Sequence, residues 1–522
     1  MRLLSRIVQH AESRPDAPAV IGLKVTGDTE STLLSYGTLL NAASHLVTRL
    51  RLRFDAETRI GLAMSNSAEW IVADLALMLG HLVEVPVPMA FSAEQAAHLL
   101  RHCAVVLTDR PGSARLAAWR GISGQAFPLE IPFDLAEYCA LPPKPMPMPR
   151  ESCTDGICKI IHTSGTTNRP KGVRIRRHGL DALLNALWTC AEEHDYRRYL
   201  SLVPFSLLIE QVTALYMPFA SGGAVLLPPV SLPPVGSPGV CVGDRLDLIK
   251  RARPSALTLT PAMVEAIAEK GEEVVANPVT DTVSSAVLHH IFGQEHPPFL
   301  AAGGGPLDPA LLHKLADWGI PVYQGYGLSE NSSVATWNRR SANRIGTVGQ
   351  PLPHVEVKLT DDGELYLRST SLFAGYCGSD PSSCSIDEAG WLHTGDLATI
   401  DDGGYVSIIG RRKTLIITSN GRNISPEWLE SRYRSVAGVA EAVVFGDRRQ
   451  FLSGVFLCRE GADPHETSRA IRVFAEAHLS EIERIADPIL VPDSPEVRDR
   501  LFTVTGRPRR DAIEEFVRSL NP

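Results

Sequence analysis

At 522 residues the chain exceeds one compact core and calls for roughly two to four domains. Apolar residues at 44% and charged residues at 21% are globular values, and a formal net charge of −8 argues against a broad nucleic-acid-binding face. Nine cysteines form no CxxC pair and no His pattern follows Cys153 and Cys158, so reduced thiols are expected, not a zinc site or a disulfide framework.

The N-terminus, Met1 to His10, lacks the long apolar core of a secretory signal. Tyr36 to Leu52 carries apolar positions at helix spacing. Arg59 to Met64 reads as a buried strand, Glu69 to His81 as a helix, and Leu82 to Val87 as a second strand. Strands separated by helices predict a mostly parallel sheet. The most apolar stretch, Trp70 to Phe91, is broken by Asp74, His81, Glu84 and two prolines, so it is buried helix and strand and not a membrane span. A soluble, cytoplasmic chain is expected. Leu141 to Arg150, with five prolines, is a connector, and Leu227 to Val242 is a loop or insertion.

Between these lies the run Thr163-Ser164-Gly165-Thr166-Thr167-Asn168-Arg169-Pro170-Lys171-Gly172-Val173, directly after the apolar segment Ile157 to Ile161. Glycines let backbone N–H groups approach a ligand, while hydroxyls and a lysine donate to anionic oxygens, so the loop suits a polyphosphate. It lacks the G-x-x-x-x-G-K-[ST] pattern of P-loop NTPases. From Gly346 onward short β-rich runs appear, Val355 to Leu359, Glu364 to Leu367 and Tyr405 to Ile409, which suit a small β-subdomain. The best boundary lies at Gly410 to Lys413, and the C-terminal remainder has the size of a small α+β domain.

Further segments complete a pattern: Gln324-Gly325-Tyr326-Gly327-Leu328-Ser329-Glu330, Gly390-Trp391-Leu392-His393-Thr394-Gly395-Asp396, Gly410-Arg411-Arg412-Lys413 running on to Asn423-Ile424-Ser425-Pro426-Glu427, and Thr505-Gly506-Arg507-Pro508. With the phosphate loop, these resemble, in order, the signatures of the adenylate-forming superfamily: acyl-CoA synthetases, adenylation domains of peptide synthetases and beetle luciferases. The look is nearest to fatty acyl-CoA synthetases. The resemblance implies an α/β protein with two parts. Residues 1–409 would form a large AMP-binding domain of mostly parallel sheets flanked by helices, with the β-subdomain. Residues 410–522 would form a mobile α+β lid.

The reaction implied is attack of a carboxylate on the α-phosphate of ATP, with loss of pyrophosphate, then transfer of the acyl group to the thiol of CoA. Two anions must meet, so charge neutralisation and positioning carry the catalysis. By resemblance Thr163, Ser164, Gly165, Thr166, Thr167 and Lys171 hold the β- and γ-phosphates. Glu330 ligates Mg²⁺, a hard cation that takes oxygen donors, beside Ser329. Gly325, Tyr326 and Gly327 bound the adenine, with Gly304 in the small-residue turn Gly303-Gly304-Gly305. Asp396 receives the ribose hydroxyls and Arg411 adds a ribose or phosphate contact. Lys413 is the hinge, and Gly421 lines the pantetheine tunnel.

Several residues depart from the family pattern. Asn168 replaces a glycine, and Asn420 and Arg422 replace the usual Gly and Glu. Arg507 stands where a lysine bridges carboxylate and α-phosphate; Arg keeps the charge but is planar and bulkier. Leu207, in Val203-Pro204-Phe205-Ser206-Leu207, stands where relatives place an aromatic residue or His, and no Asp follows Phe205 to clamp an amine. An apolar acid is therefore the expected substrate, although Glu210 lies nearby. Two alternatives stay open: transfer to an amine or to a carrier-protein thiol in trans, and a nucleotide-binding protein that has lost catalysis through Arg507.

Overall fold

The computed structural model describes residues 2–24, 30–124, 126–144, 156–163, 171–235, 242–276, 283–378, 385–418, 423–447, 449, 451–503, 508–510 and 512–520. Two sheets dominate the N-terminal four-fifths. In the first, of nine strands, Val322–Tyr326, Phe299–Ala302, Ala256–Leu259, Arg198–Leu200, Ala224–Leu227 and Pro18–Leu23 run parallel, with antiparallel strands at both edges. The second, of six strands, is ordered Leu129–Pro132, Val105–Thr108, Arg59–Ala63, Val83–Pro86, Ile157–Thr163, Lys171–Arg176, and only the last is antiparallel to its neighbour. The α/β architecture is thus the one the alternating periodicities predict.

Helices Tyr36–Arg51 and Ala68–Leu79 share one apolar core with residues of both sheets, including Val20, Tyr199, Ile60, Leu62 and Ile161. Ser35 and Ser67 accept from backbone N–H groups at their first turns and fix where each helix starts. Ala68–Leu79 is buried along nearly its whole length, which explains a sequence apolar all round. Leu246–Ala252, Pro261–Ala276, Val283–Phe292 and Pro309–Asp317 pack with the first sheet in a second core.

The shared core encloses charge. Lys159, on the strand that leads into the phosphate loop, makes ion pairs with Asp74 and Glu84, all three essentially without exposure. Tyr216 donates to Asp74 at 2.8 Å and Gln211 to Glu84 at 3.0 Å. Both donors lie on a π-helical segment, Gln211–Tyr216. Burial, then the neighbouring Asp74, pushes Glu84 well above the carboxylate range, while Lys159 and hydrogen bonds hold Asp74 below it. Burial thus opposes ionisation of Glu84 more than of Asp74, and the Lys159 ammonium is balanced chiefly by Asp74.

The expected β-subdomain is a four-stranded antiparallel sheet, Val355–Leu359, Glu364–Ser369, Leu392–Ile400, Val406–Arg411. Its last strand runs beyond the expected Ile409 because Gly410 pairs with Leu397 and Arg411 with Asp396. Further on, strands Val439–Phe445, Leu452–Cys458 and Ile485–Pro492 form a sheet with helices Pro426–Arg434 and Pro464–His478 in one core and Pro495–Leu501 and Ile513–Leu520 in another. Among the described residues each apolar core keeps to one side of the turn at 412–415, and ion pairs cross between the sides: Arg432 with Asp308 at 2.7 Å, Arg434 with Glu265 at 3.2 Å, and Arg459 with Glu269 at 2.6 Å. Among those residues no helix is long and apolar enough to cross a membrane.

Candidate active site

Strands Phe299–Ala302 and Val322–Tyr326 are parallel neighbours, so the segments after them, Gly303-Gly304-Gly305 and Gly327 to Glu330, emerge on the same edge of the sheet. That carboxyl edge is where open α/β sheets take ligands. Gly327 is required by packing: a Cβ there would lie 1.6 Å from the Ser333 carbonyl oxygen. Gly304 has φ +85° and nothing within 4 Å of an added Cβ, so a left-handed turn borders open space. Gly325 belongs to the strand and pairs with Trp337.

Tyr326 ends that strand and donates its hydroxyl to Asp396 Oδ2 at 2.7 Å. Arg411, paired with Asp396 across the antiparallel sheet, donates from Nε to Oδ1 at 2.9 Å. Asp396 is 5% exposed, and its backbone N–H donates to Thr394 Oγ1 at 3.0 Å. Burial and the adjacent carboxylate push the Tyr326 phenol well above its usual range, so it stays protonated and donates. Arg411 also donates from Nη2 to Oδ2 at 3.5 Å. A carboxylate has about four lone-pair directions, so Asp396 retains one acceptor position, and displacing Arg411 would free more.

Glu330 sits on the short 3₁₀ turn Ser329–Asn331. Its Oε1 accepts from the Tyr376 hydroxyl at 2.7 Å, and its Oε2 has no partner among the described residues. One oxygen is thus oriented and the other open, which suits ligation of a hard cation. Tyr376 arrives because the outer side of Lys171–Arg176 is bonded to the segment 374–377: Ala374 N–H donates to the Arg174 carbonyl and Cys377 N–H to that of Gly172, both at 2.8 Å. The Lys171 ammonium then lies 5.2 Å from the Tyr376 ring centroid. The end of the phosphate loop and the Glu330 carboxylate so share one aromatic ring. Sequence reading missed Tyr376; its one local signal is the Gly375-Tyr376 pair, which repeats Gly325-Tyr326.

Ser329 stands at the start of the Glu330 turn. Lys413 is exposed in the turn after Val406–Arg411, where Thr414 and Leu415 N–H groups donate back to the Arg411 carbonyl. Thr163 ends the strand Ile157–Thr163. The expectations for Ser164, Gly165, Thr166, Thr167, Gly421 and Arg507, and the departures at Asn168, Asn420 and Arg422, lie outside the described residues.

In the segment read as an apolar wall, Leu207 is 38% exposed, Leu208 is buried, and Glu210 is wholly buried. Glu210 accepts from the Ser201 hydroxyl at 2.7 Å. Burial raises its carboxyl to about 8. Tyr199, Thr213 and Thr258 continue the polar network, with hydroxyl contacts of 2.7–3.1 Å. The wall therefore includes a neutral carboxyl and a hydroxyl cluster that the apolar reading did not include.

A family model described as AMP-binding enzyme matches residues 7–377. A long-chain-fatty-acid–CoA ligase of Mycobacterium bovis, FadD15, is 25% identical over 464 residues, covering 78% of this chain and 74% of that protein. The fold is that of the anthranilate CoA ligase AuaEII in complex with anthranoyl-AMP (TM-score 0.80, 19% identity, 98% of this chain and 96% of that one). It is also that of the Bacillus subtilis o-succinylbenzoate coenzyme A synthetase MenE in complex with ATP and magnesium ion (TM-score 0.71, 21% identity, 98% and 99%).

Proposed function

Since the chain belongs to the AMP-binding enzyme family, we propose that it activates an apolar carboxylic acid with ATP and passes the acyl group to the thiol of CoA. In the first step a carboxylate oxygen bonds to the α-phosphorus of ATP and the bond to the β-phosphate oxygen breaks, releasing pyrophosphate. In the second the thiol, losing its proton, attacks the acyl carbonyl and AMP leaves. The observation that carries this reading is the Lys171–Tyr376–Glu330 arrangement, in which one tyrosine faces the ammonium with its ring and donates its hydroxyl to the carboxylate.

Each residue has a stated task. Lys171, with Ser164, Gly165, Thr166, Thr167 and the Thr163 backbone, holds the phosphates. Glu330, oriented by Tyr376, holds Mg²⁺, which when bound neutralises phosphate charge. Asp396 takes the ribose hydroxyls, and Tyr326 and Arg411 fix its carboxylate in place. Gly304 keeps the adenine side clear, while Gly325 and Gly327 let the chain beside it pack closely. Arg507 bridges the two reacting anions, and Gly421 borders the thiol's path. Residues 1–409 and 410–522 move as two bodies about Lys413, and the ion pairs at Arg432, Arg434 and Arg459 favour one docked arrangement.

The test is pyrophosphate release with ATP, Mg²⁺ and a panel of fatty and aryl acids, run with CoA, with amino acids, with a carrier protein and with none, and with products weighed by mass. An acyl-CoA product and loss of release in Arg507→Ala are expected. An amide product would reassign the acceptor. Absence of release with every acid would overturn the enzymatic reading.

A further inference from the structure

The six-stranded sheet has an outer face on which helix Ala93–Leu100 packs, and beyond the end of that helix lies a cleft of about 250 Å³. Its floor is Val85, Leu99, Ile160 and Gly172. Its walls are cationic or titratable: Arg59 from the start of one strand, His98, Arg101 and His102 from the helix end, His162 from the strand before the phosphate loop, and Lys171 from just after it. No carboxylate among the described residues lines it. Arg59, Arg101 and Lys171 have no ion-pair partner among those residues, in a chain whose net charge is −8. The negative end of the helix dipole accounts for Arg101 and His102 but not for Arg59 or Lys171, which come from separate strands.

A second observation concerns His162. Its ring is packed against Gly172, where an added Cβ would stand 3.0 Å from Nε2, and its buried Nδ1 has no hydrogen-bond partner. Burial, then His98, Arg59 and Arg101, depresses this imidazole to about 3, so the ring is neutral and adds no charge of its own to the cleft. Like charges gathered without counter-charge are unfavourable, and a polyvalent anion in the cleft would relieve them. The volume lies below the roughly 300 Å³ at which organic-ligand sites begin, so it suits a small inorganic anion and not a nucleotide.

We propose that this cleft, which Lys171 helps to line, is a second anion site that takes inorganic pyrophosphate. The identity of the anion rests on the reaction proposed above; the site itself does not. It gives the leaving group a place to lodge outside the reaction centre, on the outer face of the sheet whose edge carries the loop.

The experiment is calorimetric titration of pyrophosphate into the full chain saturated with a non-hydrolysable ATP analogue, with inorganic phosphate as a second titrant. Binding at one site is expected, at least about tenfold weaker in Arg59→Gln and in Arg101→Gln, unchanged in the remote Arg368→Gln, and weaker for phosphate. Neither Arg59 nor Arg101 makes a side-chain hydrogen bond among the described residues, so both variants are expected to melt like the parent. No binding with the nucleotide site filled, equal binding in all variants, or phosphate binding as tightly as pyrophosphate would each overturn the proposal. If the chain does not take the ATP analogue, the proposed reaction fails. Pyrophosphate binding to the bare protein that depends on Arg59 and Arg101 would still support the site.

Discussion

Tyr376 donates its hydroxyl to Glu330 at 2.7 Å while its ring faces the Lys171 ammonium. One side chain thus orients two groups whose charges are opposite. Both contacts are made from a backbone segment clamped to the strand that carries Lys171.

Replacing Tyr376 by Phe keeps the ring and removes the hydrogen bond. A bond to a charged group contributes about 1.5–3 kcal/mol, so kcat/KM for ATP should fall by roughly 10- to 100-fold. The magnesium dependence should shift to higher concentration, and the melting temperature should hold. Initial-rate kinetics over a magnesium series checks this; an unchanged magnesium midpoint would remove Tyr376 from the site.

Asp396→Asn should weaken ATP-analogue binding by about tenfold or more, since the neutral amide is a poorer acceptor and leaves Arg411 without its counter-charge. Arg411→Gln should cost less, because Tyr326 still orients the carboxylate. Equilibrium binding of a fluorescent ATP analogue to both variants tests that ranking, and the reverse order would refute it.

Lys159→Met leaves Asp74 buried without its cation and should destabilise the fold by about 3–5 kcal/mol. Glu84→Gln removes the carboxyl whose ionisation burial opposes, and should cost less than half as much. Urea unfolding of the two variants gives the comparison. Equal losses would mean that Glu84 is ionised.

Glu210 supplies a pH signature. Its folded carboxyl titrates near 8 against 4.5 for the free group. The folded state therefore holds the proton more tightly, and this contribution to stability is full below about pH 4.5 and lost as pH rises towards 8. Glu210→Gln removes the titration. Its melting temperature should gain on the parent's progressively between those limits, and a constant difference across the range would show an ionised Glu210.

The legible parts of this chain are those encoded locally. The helix begins at Tyr36 because Ser35 caps it, and Ala68–Leu79 announces its burial by being apolar on every side apart from Glu69 and Asp74. The stretch Gly325-Tyr326-Gly327 marks a strand end where a side chain at 327 would strike Ser333. The hidden parts are formed by distant partners. Tyr376 lies 46 residues from Glu330, and Lys159 lies 85 and 75 residues from Asp74 and Glu84. Asp74 and Glu84 are visible as charges within an apolar helix and strand, but nothing local names Lys159 as their partner. Glu210 stands out in the sequence, yet its role does not, because its neighbours Leu207, Leu208 and Ile209 are apolar and nothing local reveals Ser201 turning towards it.

The ionic seam between the two sides of the 412–415 turn has a thermal corollary. Parting surfaces joined by Arg432–Asp308, Arg434–Glu265 and Arg459–Glu269 wets charged groups and little oil-like area. Heat capacity follows apolar exposure, so the enthalpy of parting these surfaces should change little with temperature. Salt should loosen chiefly the exposed Arg459–Glu269 pair, because Arg432–Asp308 and Arg434–Glu265 are largely buried and are screened much less.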